Sequence, residues 1–272
     1  MAECLKFNFG DSSIATMYDE VLVPILFKPW ASRIIKEHEP WEGRAVLDVA
    51  TGTGIFAQLA ARAVGQNGVV KAVDINSEML DLARKRCESI VPEVDFIESS
   101  ADSLEIPSGS IDFVVSQQGF QFFPDKDRTA MEIYRVLCEN GKVYISTWRP
   151  VLECQYFGAI CTALETIGES EISDMMRLPF DYMHKSDLEN HFKSAGFTNV
   201  QVYSQEMEFV FSGGVAHAVE VSYATPIRPK LLSLSEEKQI QFKTTFSGLL
   251  NELSSDGKTM GKMVANVLLG EK

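Results

Sequence analysis

A glycine turn and three spaced carboxylates are the residues of this 272-residue chain that could do chemistry together. The run Ala45-Val46-Leu47-Asp48-Val49-Ala50-Thr51-Gly52-Thr53-Gly54 passes from apolar, partly β-branched residues into two glycines, and Ile55 to Ala61 then opens a helical pattern. Such a run reads as a buried strand, a tight turn and a helix N-terminus. A turn of that kind leaves backbone amides open to a ligand. A second strand, Val69 to Val73, ends in Asp74. An acid roughly 20 residues past the glycines is what a nucleoside-binding βαβ unit uses to accept hydrogen bonds from ribose hydroxyls. A third strand, Val94 to Ile97, leads to Ser99-Ser100-Ala101-Asp102-Ser103. Asp74 and Asp102, past successive strands, would give an adenosine one acceptor pair for its ribose and one acceptor for its amino group. Two cofactor classes remain open at this point, because Gly52-x-Gly54-x-x-Ala57 also matches the dinucleotide fingerprint, a weak signal by itself.

The elements that must position these groups follow from periodicity and turn residues. The first helix stops at Gly65, and Asn67-Gly68 turns the chain into the second strand. Asn76 or Ser77 caps a helix with Met79, Ala83, Cys87 and Ile90 on one face. Ile111 to Ser116 forms the fourth strand and runs into Gln117-Gln118-Gly119-Phe120-Gln121-Phe122-Phe123-Pro124. A helix with Ala130, Ile133, Val136 and Leu137 inward is expected to end at Asn140-Gly141, before a fifth strand, Lys142 to Trp148. Residues 149–184 fit no core element, although Cys154 to Ile167 could be helical. Ser186-x-x-Glu189 is a capping box. Val200 to Tyr203 and Glu208 to Phe211 read as a closing hairpin, Ser212-Gly213-Gly214 as a linker, and residues 215–272 as mainly helical. Before the first strand, Pro24 and Pro29 divide the apolar residues into short helices.

With these residues in place, Asp48-x-Ala50-x-Gly52-x-Gly54 resembles the first motif of class I S-adenosylmethionine-dependent methyltransferases of the small-molecule type, with alanine where a first glycine is usual. Glu132-x-x-Arg135-Val136-Leu137 and the strand to Trp148 resemble the same family, so the resemblance covers residues 44–148. It implies an α/β fold, a doubly wound, mostly parallel seven-stranded sheet with helical lid additions. The domains would be a helical cap over 1–40, a cofactor-binding core over 41–212 with a lid insertion near 149–184, and a helical lid over 213–272. The cofactor would be S-adenosyl-L-methionine, contacted by Asp48, Ala50, Thr51, Gly52 and Asp74. Ile75 and Met79 would flank the adenine, and Ala101, Asp102 and Ser103 would lie at its amino group. Gln117 and Gln118 would meet the methionine end. Tyr18, in Ala15-x-x-Tyr18-Asp19, would fold over the cofactor. The same motif is also similar to quinone-biosynthesis C-methyltransferases, which keeps ring methylation open within the class. A nicotinamide-dependent oxidoreductase and a non-catalytic binding protein are the alternatives outside it.

Composition narrows the acceptor. A net charge of −13 argues against phosphate-backbone binding, so a small-molecule substrate is expected and nucleic acid is not. The wall of Phe120, Phe122, Phe123 and Trp148 would favour an apolar or aromatic acceptor. Cys4, Cys87, Cys138, Cys154 and Cys161 show no paired spacing, so no metal site is expected and the compartment reads as cytoplasmic. No apolar stretch near the N-terminus is long enough to span a membrane. Of the four histidines, His38 is expected at the surface, His191 reads as structural, and His184 and His217 lie in the lid segments. None has diagnostic spacing, so the catalytic residues and the oligomeric state stay unassigned.

Overall fold

The computed structural model describes residues 12–180 and 183–272; Cys4 lies outside them. In chain order the elements are α1 (Ser12–Met17), a π-helical segment (Tyr18–Phe27), α2 (Lys28–Glu37), β1 (Ala45–Val49), α3 (Ile55–Val64), β2 (Val69–Asp74), α4 (Ser77–Cys87), β3 (Val94–Glu98) and β4 (Ile111–Gln117). There follow α5 (Lys126–Val136), β5 (Leu137–Trp148), α6 (Gln155–Thr166), α7 (Ser170–Arg177), α8 (Lys185–Ser194), β6 (Thr198–Phe211), α9 (Gly214–Val221), α10 (Arg228–Ser233), α11 (Glu236–Asn251), the short β7 (Ser254–Ser255) and β8 (Lys258–Glu271). Asn76 caps α4, its side chain accepting from the amides of Glu78 and Met79. Pro29 opens α2, while Pro24 sits inside the π-helical segment.

The strands form one sheet in the order β3-β2-β1-β4-β5-β8-β6, with β7 paired to β8. The first five are parallel neighbours. Val49 pairs with Val73 and Asp48 with Val115, so the chain winds outward from β1 in both directions. The crevice at the carboxyl ends of β1 and β4 is therefore the topological switch point at which open α/β sheets bind ligands. The fold is the mixed α/β, Rossmann-like, mostly parallel arrangement expected from the sequence.

Two compact units divide the chain, and neither is a continuous stretch. One comprises Phe27–Thr147, Met183–Gln205 and Ala265–Lys272. Its core gathers Leu47, Val49 and Val114 of the sheet with Ile133 of α5, Leu188 and Phe192 of α8, and Leu268 of β8, all sealed from solvent. The other comprises residues 12–26, 148–180 and 206–264 among those described. Its centre is the fully buried Tyr156, ringed by Phe157, Phe209, Phe211 and Phe246 at centroid distances of 4.8–5.9 Å. Buried aromatic pairs at such spacings add to the area they bury. The Tyr156 hydroxyl donates to the Ala218 carbonyl at 2.8 Å, which satisfies its polar end.

Four local expectations are corrected. The chain beyond Asn251 is strand where helix was expected: β8 lies between β5 and β6 and runs antiparallel to β5, since the Lys272 amide bonds the Gly141 carbonyl and the Arg149 amide the Val264 carbonyl. Met263 to Leu268 is an almost unbroken apolar run, which suits a strand covered on both faces as well as it suits a helix. The expected hairpin within 200–211 is instead the single strand β6, whose partner is β8. The helix before β5 ends at Val136, and Asn140, at φ 62°, marks a bulge between the Ile111↔Leu137 and Phe113↔Lys142 pairs. Helix α8 begins at Lys185 with no side-chain cap, so Ser186 lies within its first turn.

Because β8 is an interior strand, Leu268→Ala should cost about 2–5 kcal/mol, as expected for a core leucine. A urea titration reads this as a lowered midpoint. An unchanged midpoint would show that β8 is dispensable to the sheet.

Candidate cofactor site

The strand β1 delivers Asp48 into the interior, and the turn after it is held by that side chain. Asp48 Oδ2 accepts from Thr51 Oγ1 at 2.6 Å and from the Ala57 amide at 3.2 Å, tying the turn and the first turn of α3 to one oxygen. Burial raises the Asp48 carboxyl to about 7; its two hydrogen bonds oppose the shift and the charge of Asp74 adds to it. Ala50, Gly52 and Gly54 all take left-handed backbone angles, with φ of 60°, 56° and 80°. A Cβ placed on Gly52 would meet nothing within 4 Å. That backbone therefore faces open space, and its glycine keeps the approach clear.

The second strand brings Asp74 to the same turn. Its Oδ2 accepts from the Gly52 amide at 2.8 Å and its Oδ1 from the Asn76 amide at 3.0 Å. Burial raises this carboxyl as well, against the pull of the Asn76, Gly52 and Ile75 amides. Each oxygen retains a lone pair for a further donor, such as a ribose hydroxyl. The next residue, Ile75, is 74% exposed, an apolar side chain with room for a flat ring.

On the other side of β1, β4 ends in Gln117 and Gln118. The Gln118 amide bonds both the carbonyl and the hydroxyl of Ser146, at 3.0 and 3.2 Å. Its φ of 51° is strained for a side chain of that size. Its side-chain amide is buried, and neither its nitrogen nor its oxygen has a hydrogen-bond partner. Gln117 Nε2 donates to the Phe27 carbonyl at 3.1 Å, while its Oε1 is buried without a partner. A Cβ on the following Gly119 would sit 2.6 Å from Ala50 Cβ, so the ends of β1 and β4 touch.

Asp48, Ala50, Thr51, Gly52, Asp74, Gln117 and Gln118 are thus assembled around one switch point, with Ile75 beside it. Met79 points into the core. Ala101 is buried, and Asp102 and Ser103 lie in the loop after β3, where the Asp102 carbonyl accepts from Arg128 Nε at 2.8 Å. Tyr18 belongs to the other unit. Gly119, Ser146 and the buried, unpartnered Thr53 hydroxyl were not singled out from the sequence. Only for Thr53 was there a signal, its place between the two glycines. Phe120 is core, packed on Phe123 and Phe192, and Phe122 is 44% exposed, so the three phenylalanines do not form one wall. His38 is half-buried against Phe113 and Tyr144 with a lowered pKa from burial, a correction to its expected surface place. Among the described residues, no three His, Cys, Asp or Glu side chains gather to hold a metal.

The raised Asp48 pKa fixes the sign of a pH test. A carboxyl protonated more readily when folded than unfolded stabilises the fold below the unfolded value of 3.8, and that contribution is lost as pH rises through about 7. Asp48→Asn keeps an acceptor for Thr51 and Ala57 without the titration. The melting temperature of this variant should gain on the parent between pH 5 and 7 and hold level above 8. A difference that does not change with pH would mean Asp48 is ionised throughout.

Comparison with known proteins identifies the family. The ubiE/COQ5 methyltransferase family matches residues 9–220. A demethylmenaquinone methyltransferase of Staphylococcus aureus is 29% identical over 224 residues, which are 78% of this chain and 90% of that protein. Among solved structures, phosphoethanolamine N-methyltransferase 2 of Haemonchus contortus with S-adenosyl-L-methionine has a TM-score of 0.63 at 19% identity, covering 100% of this chain and 60% of that one. A SAM-dependent methyltransferase from Aquifex aeolicus has a TM-score of 0.52 at 20% identity, covering 74% and 94%. Methyl transfer, not nicotinamide chemistry, is therefore the activity of the fold, and the chain belongs to the ubiE/COQ5 methyltransferase family of S-adenosylmethionine-dependent enzymes.

Proposed function

We propose that the enzyme holds S-adenosyl-L-methionine across the β1–β4 switch point and methylates a small, apolar or aromatic molecule. The observation that carries the placement is the pair formed by the Gly52 amide and Asp74, with clear space over Gly52 and the unsatisfied Gln118 amide one strand away. In this reading Asp74 accepts from the ribose hydroxyls, Ile75 lies on the adenine, and Asp102, between Ala101 and Ser103, accepts from its amino group. Gln118 orients the methionine end, its amide oxygen meeting the ammonium and its nitrogen the carboxylate, with Gln117 Oε1 beside it. Asp48 and Thr51 act through the turn they stiffen, and Met79 through the core beneath it.

The cofactor, when bound, supplies an electrophilic methyl group, so the protein's task is to align the acceptor and exclude water. A carbon nucleophile on an ionised ring asks for no general base at the moment of transfer. The 29% identity to a demethylmenaquinone methyltransferase supports a hydroxylated quinol-type ring as that acceptor. The lid role expected for 149–184 and for the helices from Gly214 to Asn251 stays part of the proposal; residues 149–180 and 214–251 share one compact unit. A negative balance of −13 supports a small acceptor over nucleic acid. Free thiols at Cys87, Cys138, Cys154 and Cys161 support a cytoplasmic setting. No helix among the described residues is long and apolar enough to cross a membrane.

Two measurements test this. Asp74→Ala removes charge-assisted hydrogen bonds worth about 1.5–3 kcal/mol, so calorimetry should find S-adenosylhomocysteine bound roughly tenfold to a hundredfold more weakly. Unchanged affinity with a lowered melting temperature would make Asp74 structural. For the acceptor, the enzyme with S-adenosyl-L-methionine should methylate a reduced demethylated naphthoquinone on carbon and leave sarcosine and phosphoethanolamine untouched, as read by mass spectrometry. Methylation of the amines alone would overturn the aromatic acceptor.

A further inference from the structure

The loop from Asp102 to Ser108 buries Leu104 and Ile106 in the core that also holds Leu47, Val49 and Val114 of the sheet. It is gripped by one face of helix α5, whose residues Arg128, Glu132 and Arg135 recur at i, i+4 and i+7 and so share a stripe. Arg128 Nε donates to the Asp102 carbonyl at 2.8 Å. Glu132 Oε2 accepts from the Leu104 amide at 2.9 Å. Arg135 donates to the carbonyls of Leu104 and Ile106, at 2.9 and 2.8 Å, and to Ser108 Oγ at 3.1 Å. Arg135 and Glu132 also pair with each other at 2.7 and 2.8 Å. The lower part of this clamp is shared between two side chains that fix each other and sits over the buried Leu104 and Ile106. The upper contact is different: Arg128 is exposed and meets the loop at one point, the peptide group of Asp102 itself.

We infer that Arg128 is a positioning residue for cofactor selectivity, setting the direction of the Asp102 carboxylate by holding its carbonyl. This rests on the proposed placement of Asp102 at the adenine amino group. Glu132 and Arg135 anchor the loop to the protein, and Arg128 aims its tip. Loss of Arg128 leaves the loop attached, with Leu104, Ile106 and Ser108 still held, and leaves the Asp102–Ser103 peptide fixed only on its amide side, where the Ser103 amide donates to the Ser100 carbonyl at 3.1 Å. The energetic consequence falls on the one ligand hydrogen bond that depends on that direction. A site built to accept from an amino group discriminates against an analogue without it because the acceptor is then left unmet.

The test compares S-adenosylhomocysteine with S-inosylhomocysteine, which carries a carbonyl where adenine has its amino group, by calorimetry on the full-length chain. The parent should prefer the adenosyl ligand. Asp102→Ala should lose that preference, and Arg128→Ala should lose most of it, with adenosyl affinity falling about threefold to tenfold, inosyl affinity unchanged and the melting temperature within a degree or two of the parent. Arg128→Ala on top of Asp102→Ala should add nothing. If Arg128→Ala weakens both ligands equally, or neither, Arg128 is a surface contact and the inference fails while Asp102 stands. If Asp102→Ala itself leaves the preference intact, the placement of Asp102 fails and the inference goes with it, a result separable from the first because it appears without touching Arg128.

Discussion

The turn between β1 and α3 holds its shape because two carboxylates take its donors. Three of its residues adopt left-handed backbone angles within five positions, and one of them, Ala50, carries a side chain. A left-handed angle costs an L-residue roughly 1–2 kcal/mol, so the turn persists only where its surroundings over-determine it. Asp48 supplies that from below through Thr51 and Ala57, and Asp74 from the side through the Gly52 amide. The rest of the sheet unit serves to bring these two acids to one place. Register between β1 and β2 sets Val49 against Val73, so Ala50 and Asp74 leave the sheet side by side.

Two buried acids near one turn oppose each other. Each raises its carboxyl by losing water, and the charge of Asp74 raises Asp48 further. The arrangement divides their roles. Asp48, with its bonds inward, can carry a proton near neutrality and still accept from Thr51 and Ala57 with its other lone pairs. Asp74 gathers backbone amides that favour its ionised form. A ligand donating hydroxyl hydrogen bonds would therefore find its acceptor in Asp74, with Asp48 as the structural member of the pair.

Much of this was legible in the sequence because it is local. Asp48, Gly52 and Gly54 lie within one strand–turn–helix step, and Asp74 ends the next strand, so alternation and glycine placement carried them together. What was missed depends on distant partners. Met263 to Leu268 has no period that separates a doubly covered strand from a buried helix, and its neighbour β5 lies more than a hundred residues earlier in the chain. His38 shows no sequence sign of the Phe113 and Tyr144 rings that half-bury it. Gly119 reads as an ordinary loop glycine until Ala50 is seen against it. The stripe on α5 likewise looks like a solvated charged face, since the loop it grips comes from 26 to 31 residues away.

At the switch point local rules are broken together. Gln118 has a left-handed backbone and a buried side-chain amide with no partner, and the Thr53 and Thr147 hydroxyls are buried unpartnered as well. A buried polar group without a partner costs about 1–3 kcal/mol, so these groups weigh against the sheet that holds them. Beside them the carboxylates of Asp48 and Asp74 are bonded closely, as are Glu132 and Arg135 on α5. Polar groups left unmet at the carboxyl ends of β1, β4 and β5, where the topology opens a crevice, are the ones a bound molecule can satisfy. A ligand that meets them returns that free energy to the folded state alone, since the unfolded chain has no such site. Binding and stability would then be coupled through the same side chains, Gln118 with its left-handed backbone among them.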